Sequence, residues 1–123
     1  MTWTYRGHER TTGRAAPILL RLKGWLADHD SHGRFLGILP SKAHHRANPN
    51  SIHEDGRAMD WGPSSDEMGW DIAHTLADFP DGAQVQLILW KDYQWGGKDG
   101  PYWKYTGRKD HDDHLHIETR GWA

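Results

Sequence analysis

Two segments of the chain show the spacing of apolar residues that is typical of amphipathic helices. The first covers residues 15–28 and begins near Pro17, a residue suited to the first turn of a helix. The second runs to about residue 79, and Ser64 with Glu67 three positions later predicts its amino-terminal cap. The apolar stripes are Leu19, Leu22 and Leu26 in the first helix and Met68, Ile72, Leu76 and Phe79 in the second.

Shorter apolar segments between and after these helices have the composition of strands. They are Phe35–Leu39, Ala58–Trp61, Gln84–Trp90, in which Val85, Leu87 and Leu89 alternate with polar residues, and His114–Thr119. The remaining segments are predicted as an N-terminal arm (1–14), a polar loop (41–50) and a long excursion containing Gly and Trp (91–110). Two main helices and about four strands in irregular alternation predict an α+β fold in a single domain, residues 1–123, with no second domain.

Composition and charge exclude several classes of function. No segment approaches the roughly 20 apolar residues of a membrane span, and the N-terminus shows no secretory signal, so no membrane partner is expected. The absence of cysteine excludes disulfide scaffolds, thiolate zinc sites and cysteine nucleophiles. The 15 Lys and Arg against 17 Asp and Glu argue against sequence-independent nucleic-acid binding. Without cysteine, the strong metal ligands available are imidazole and carboxylate, and the chain has ten histidines.

His53 and Asp60 belong to the first of two polar clusters, the segment SIHEDGRAMD that starts at Ser51. Imidazole and carboxylate are zinc ligands, but seven residues separate this pair, so a bend must bring the side chains together. Gly56 can supply that bend between a loop and the following strand. A loop histidine and a buried strand aspartate would explain the same residues without a metal.

The second cluster is the segment HDDHLHIE, which starts at His111. On a strand, residues i and i+2 share a face, so His114 and His116 are neighbours and Leu115 turns to the core. An exposed polar edge strand would carry the same residues. Together the clusters offer two histidines and an aspartate, and three protein ligands with a vacant position are the pattern of catalytic zinc.

The motif pair SxHxxGxAxD and DHxH resembles that of the LAS metallopeptidases, the group of lysostaphin-type enzymes, D-Ala-D-Ala metallopeptidases and the hedgehog signalling domain. HEDGRAMDW and HDDHLHIE are most similar to small peptidoglycan peptidase domains of actinobacterial wall enzymes and mycobacteriophage lysins. The resemblance covers about residues 15–120. It implies a hedgehog-like fold with a zinc cleft on the sheet. It also implies cleavage of an amide bond in the peptidoglycan stem peptide, by an endopeptidase or a carboxypeptidase acting at the bacterial cell wall.

The resemblance also assigns roles to individual residues. The zinc ligands that it implies are His53, Asp60 and His116. Asp113 matches the general base, and His114 matches the histidine that supports the transition state beside the metal. Some relatives hold the scissile carbonyl with an upstream arginine, for which Arg46 is the candidate, although a solvated loop arginine fits equally. Many relatives carry Glu at the base position, so the shorter Asp113 must lie closer or act through water.

Three further expectations concern residues near the motifs. Arg57 is expected to be structural, pairing with Asp55 or Glu54, and His111 is a candidate to support a ligand without touching the metal. The aromatic residues of segment 90–105 either line a groove for stem peptide or sugar, or fill the core and a flap. The chain is expected to be a monomer.

Three other functions remain open at this point. A metal-dependent nuclease or phosphodiesterase would use similar ligands but needs a basic groove, which the net charge of −2 does not supply. A zinc-bearing but inactive binding module would have no use for Asp113 as a base. A Trp-rich wall-binding domain without metal would leave both motifs unexplained.

Overall fold

The computed structural model describes residues 3–123, which form an α+β fold with four helices and one antiparallel sheet. The helices are α1 (Pro17–His29), α2 (Lys42–Ala47), α3 (Asp66–Asp78) and α4 (Pro80–Ala83), and a 3-10 turn covers Ile52–Asp55. The strands are β1 (Arg34–Gly37), β2 (Ala58–Gly62), β3 (Val85–Trp90), β4 (Tyr93–Gly96), β5 (Trp103–Tyr105) and β6 (Leu115–Thr119). The predicted arm lacks regular structure over residues 3–14, and its first two residues lie outside the described range.

The sheet has six strands rather than about four, in the order β1-β2-β6-β3-β4-β5, so β6 lies near its centre. The expectation of about four strands was wrong because residues 91–110 contain the hairpin β4–β5. These strands are three and four residues long, and Gly96 has a φ of 83° within β4. Such short strands carry little periodicity of their own, and they are held by pairing of β4 with β3 and of β5 with β4.

The two long helices were predicted correctly in position, but details of the helical segments differ. The amino-terminal cap of α3 is Ser65, whose hydroxyl accepts from the Met68 amide, and not Ser64. The Ser64 amide instead donates to the Asp30 carboxylate at 3.1 Å, which holds that residue outside the helix. The predicted polar loop at 41–50 contains α2, which is capped by the Ser41 hydroxyl. Its six residues are too few for an apolar stripe, and none is buried.

The core lies between the long helices and one face of the sheet. Its sheet side is formed by Met59 and Trp61 of β2, Ile88 and Trp90 of β3, and Leu115 and Ile117 of β6. Leu115 and Ile117 were predicted to face the core, and they are fully buried. In β3 a bulge between Val85 and Leu87 changes the register, so Ile88 and Trp90, rather than Leu87 and Leu89, join the core cluster.

The tryptophans of segment 90–105 pack in or against the core, whereas Tyr102 and Tyr105 are exposed. Trp90 and Trp95 are 1% and 4% exposed. Trp90, Tyr93 and Trp103 surround Trp70 of α3, with ring centroids 5.6 to 6.4 Å apart. This arrangement favours the core interpretation over a binding groove for these rings.

The N-terminal arm is tied to the sheet by Arg57. Its guanidinium is 1% exposed, pairs with Asp55 at 3.1 Å and donates to the Thr119 carbonyl at 2.9 Å. It also donates to the carbonyl oxygens of Arg6 and Gly7 in the arm, at 3.2 and 2.7 Å. The expectation that Arg57 is structural and pairs with Asp55 is confirmed.

None of the helices formed by residues 3–123 combines the length and the apolar character needed to cross a bilayer.

Candidate metal centre

His53, Asp60 and His116 converge at one point on the sheet. His53 lies in the 3-10 turn, Asp60 in β2 and His116 in β6, and the last two face each other in the strand register. The Asp60 Oδ1 atom lies 3.5 Å from His53 Nε2 and 3.3 Å from His116 Nδ1. Gly56 ends the 3-10 turn with a φ of 75°, which is the bend that the seven-residue separation requires.

Each histidine is oriented by a second hydrogen bond on its other ring nitrogen. His53 Nδ1 donates to the Ile38 carbonyl at 2.7 Å, which leaves Nε2 facing Asp60. His116 Nε2 donates to the Glu118 carboxylate at 2.8 Å, which leaves Nδ1 facing Asp60. Bonds of this kind fix the tautomer and the ring orientation of metal-binding histidines.

The three atoms could hold a metal ion, because all of them lie within 4.8 Å of one another. In tetrahedral zinc sites with bonds of about 2.0–2.1 Å, neighbouring ligand atoms are about 3.3 Å apart. The two distances from Asp60 Oδ1 to the histidine nitrogens are close to that value. Two imidazoles and one carboxylate suit zinc, although they also suit other divalent transition metals.

The charges of the side chains around the three ligand atoms also favour a bound cation. Burial would lower the pKa of His116, but its hydrogen bonds to Asp60 and Glu118 outweigh burial and raise the pKa to about 9. Burial would likewise raise the pKa of Asp60, but the two histidines hold it well below its usual range. Without metal, the proton on His116 therefore supplies positive charge between two carboxylates, and a divalent cation can replace it.

The three residues open into a cleft of about 590 Å³. Besides the three, its wall includes His44, Ser51, Leu89, Arg108, Asp110, His111 and His114. Burial and the nearby charge of His116 lower the pKa of His111, which disfavours its charged form. The ring of His111 lies 5.8 Å from that of His116 and 5.0 Å from that of His114. The cleft is large enough for an extended peptide to reach the three ligand atoms.

The other predicted site residues are placed differently. His114 forms part of the cleft wall, and its Nδ1 lies 2.8 Å from the Asp113 carboxylate. The Asp113 side chain is 92% exposed, and Asp113 is not among the residues that form the wall. Arg46 is exposed on α2 and borders a neighbouring hollow with His45 and Glu54. Arg108 is the arginine that borders the metal cleft.

Sequence reasoning did not single out three residues at the site: His44, Arg108 and Glu118. Glu118 could have been found, because it lies two residues after His116 on the same strand and therefore shares its face. His44 packs edge to face on His53, at 5.4 Å between ring centroids. It lies in the segment that was predicted as a loop, where no periodicity gives a side-chain direction.

Comparison of this chain with known protein families, curated proteins and solved structures finds no significant match.

Proposed function

We propose that this chain is a zinc-dependent peptidoglycan peptidase with a fold of the hedgehog and DD-peptidase type. The observation that carries the proposal is the His53–Asp60–His116 group on an open cleft, whose ligand atoms all lie within 4.8 Å of one another, with Asp60 Oδ1 3.5 and 3.3 Å from the two histidine nitrogens. The resemblance of both motifs to LAS metallopeptidases supplies the substrate class, an amide bond of the stem peptide. The protein would act as a monomer at the bacterial cell wall.

His53, Asp60 and His116 would hold the zinc ion. When bound, zinc supplies a Lewis acid that polarises the scissile carbonyl and makes water a nucleophile near neutral pH. The two histidines that would hold it are each oriented through the other ring nitrogen, His53 by the Ile38 carbonyl and His116 by Glu118. The chain then has to place the stem peptide, accept a proton from water and donate it to the leaving amine.

The pair of Asp113 and His114 suits the proton transfer. Asp113 accepts the hydrogen bond of His114 Nδ1, and the resulting tautomer leaves the lone pair of Nε2 available as a proton acceptor at the cleft. In this arrangement Asp113 acts through His114, which also stabilises the negative charge of the transition state once it is protonated. If Asp113 takes the proton directly, as the resemblance implies, its exposed carboxylate must act through water.

Arg108 is better placed than Arg46 to contact the substrate. Its guanidinium borders the cleft and pairs with Asp110 at 2.7 Å, so a carboxylate of the stem peptide would compete with Asp110 for it. Arg46 lies outside the cleft wall, and we assign it no contact with the scissile carbonyl.

A zinc-bearing but inactive module is the second candidate. The observation that favours it is the 92% exposure of the Asp113 side chain, because a dedicated base is normally held against the reacting atoms. A nuclease is disfavoured, since Arg108 is the one Lys or Arg among the residues of the described chain that border the cleft.

The test is mass spectrometry of diaminopimelate-type peptidoglycan incubated with the zinc-loaded protein, beside a sample treated with chelator. New amine and carboxyl ends that vanish with chelator would establish the peptidase and identify the bond. Intact peptidoglycan with one zinc bound per chain would support the inactive module. Absence of zinc binding would refute both.

Variants assign the roles. His116→Ala should lose zinc and activity together, whereas Asp113→Asn should keep zinc and lose at least about 100-fold in turnover. His114→Gln should lose as much as Asp113→Asn if the two act as a pair, and less if Asp113 is the base alone. His32→Gln and Asp99→Asn, at exposed positions outside the cleft wall, are the matched controls and should retain activity.

A further inference from the structure

We propose that the N-terminal arm is part of the metal centre, because Tyr5 holds Glu118 in the position from which it orients His116. The inference rests on the proposed metal centre but not on the peptidase reaction. Tyr5 and Glu118 are 113 residues apart in the sequence, and the arm brings the phenol onto the sheet.

Glu118 connects Tyr5 of the arm to His116 of the metal centre. Its side chain is 6% exposed, and its Oε2 atom accepts from His116 Nε2 at 2.8 Å. Its Oε1 atom accepts from the Tyr5 hydroxyl at 2.8 Å and from Gln86 Nε2 at 3.1 Å. With three donors on two oxygens, the carboxylate is held at both ends and cannot turn away from the imidazole without losing a buried hydrogen bond.

Gln86 of β3 also binds the arm, through the backbone of Arg6. The Arg6 amide donates to Gln86 Oε1 at 2.9 Å, and Gln86 Nε2 also lies 3.0 Å from the Arg6 carbonyl. The arm is therefore fixed to β3 at the residue next to Tyr5. This fixed backbone holds the Tyr5 hydroxyl over Glu118 before any metal arrives, so the ligand is already oriented.

The expected consequence is tighter metal binding. A carboxylate on one nitrogen of an imidazole makes the opposite nitrogen a better metal ligand and restrains rotation of the ring. Removing the Tyr5 hydroxyl leaves Glu118 with one fewer donor and more freedom to rotate. The loss should pass through Glu118 to His116, although Tyr5 does not touch a ligand.

The experiment measures the zinc dissociation constant of the full chain at pH 7.5 by competition with a chromophoric chelator. Glu118→Gln, which keeps the shape but removes the charge, should weaken zinc binding about 10- to 100-fold. Tyr5→Phe, which removes one hydroxyl, should weaken it about threefold. Tyr102→Phe, at a position 66% exposed, is the control and should bind as the wild type does.

Two further measurements separate this role from general support of the fold. The visible spectrum of the cobalt-substituted protein should shift in Glu118→Gln and Tyr5→Phe, because it reports the ligand field at the metal. Trp3→Phe loosens the arm elsewhere, since the indole of Trp3 donates to the Gly97 carbonyl at 2.7 Å, and it should leave both zinc affinity and spectrum unchanged.

Distinct results would overturn the inference. Wild-type affinity and spectrum in Tyr5→Phe, whatever Glu118→Gln does, would show that the arm does not act on the metal. An equal loss in Trp3→Phe and Tyr5→Phe would show that the arm supports only the fold. If the wild-type protein bound no zinc, both this inference and the proposed function would fail, whereas zinc binding without peptide cleavage would leave the inference intact.

Discussion

Replacing Arg57 by Met should destabilise the protein by about 4 kcal/mol, because breaking a buried ion pair costs about 3–5 kcal/mol. Arg57 is 1% exposed and its guanidinium pairs with Asp55 at 3.1 Å. Met fills the volume of the side chain but leaves Asp55 without its buried cation. His8 and the Glu9 amide remain as partners of that carboxylate, which keeps the loss within this range.

The loss also depends on how the arm responds. Three carbonyl groups, of Arg6, Gly7 and Thr119, lose this donor. The Arg6 carbonyl keeps its hydrogen bond from Gln86 Nε2, whereas a buried acceptor left without any donor costs about 1–3 kcal/mol unless water reaches it. The arm lies at the surface, so we expect it to detach locally and admit water. Water would then satisfy most of these carbonyl groups, and the remaining loss of stability would come from the contacts that the detached arm no longer makes.

The assay is urea-induced unfolding of the metal-free protein at pH 7, with Arg10→Met, an exposed position in the arm, as the matched control. The control should change stability by less than about 0.5 kcal/mol. Adding Asp55→Asn to Arg57→Met should restore part of the loss, because no unpaired charge then remains buried. A loss below about 1 kcal/mol in Arg57→Met would refute the view that this guanidinium holds the arm to the sheet.

Three further predictions follow from single positions. Gly56→Ala should cost about 3 kcal/mol in the same urea assay, because its φ is 75° and the new Cβ would lie 1.8 Å from the Arg14 carbonyl oxygen; an unchanged midpoint would contradict this. Gly69→Ala should also destabilise, by about 1–3 kcal/mol, despite the better helix propensity of Ala, because the Cβ would lie 2.2 Å from a ring atom of the buried Trp90. Asp30→Asn should lower stability by about 1 kcal/mol at pH 7. Burial would raise the pKa of Asp30, but its hydrogen bonds hold the pKa below the usual 3.8. The difference in stability between Asp30→Asn and wild type should therefore persist above pH 4 and shrink as the pH falls through the lowered pKa of Asp30. A difference in stability that is independent of pH down to pH 2 would contradict the role given to the Asp30 carboxylate.

Part of the convergence of His53, Asp60 and His116 could be predicted from local sequence information. Gly56 predicts the bend, and strand periodicity gives the direction of His116. The pairing of Asp60 with His116 is not local, and here the motif resemblance, rather than any periodicity, indicated that the two meet.

The rest of the site depends on contacts that sequence patterns do not contain. Arg46 was placed by its distance from His53 along the chain, but the short helix α2 turns His44 toward the cleft and Arg46 away from its wall. The direction of Asp113 could not be predicted, since it precedes β6 and no strand register fixes its side chain. Tyr5 could not be found at all, because the arm shows no pattern that relates it to β6.

The central position of β6 has a consequence for folding. β6 is the last strand in sequence, yet it joins the half-sheet β1-β2 to the half-sheet β3-β4-β5. During synthesis the two halves therefore emerge without the strand that unites them. β2 can pair with β1, but its second partner lies 56 residues further on, as the spacing of Asp60 and His116 shows. Contacts of such long range slow folding, and exposed strand edges favour association between chains in the interval. We expect ribosome-bound chains that lack β6 to remain open to proteases and chaperones, and the group of His53, Asp60 and His116 to be complete only once β6 has paired, because His116 lies on that strand.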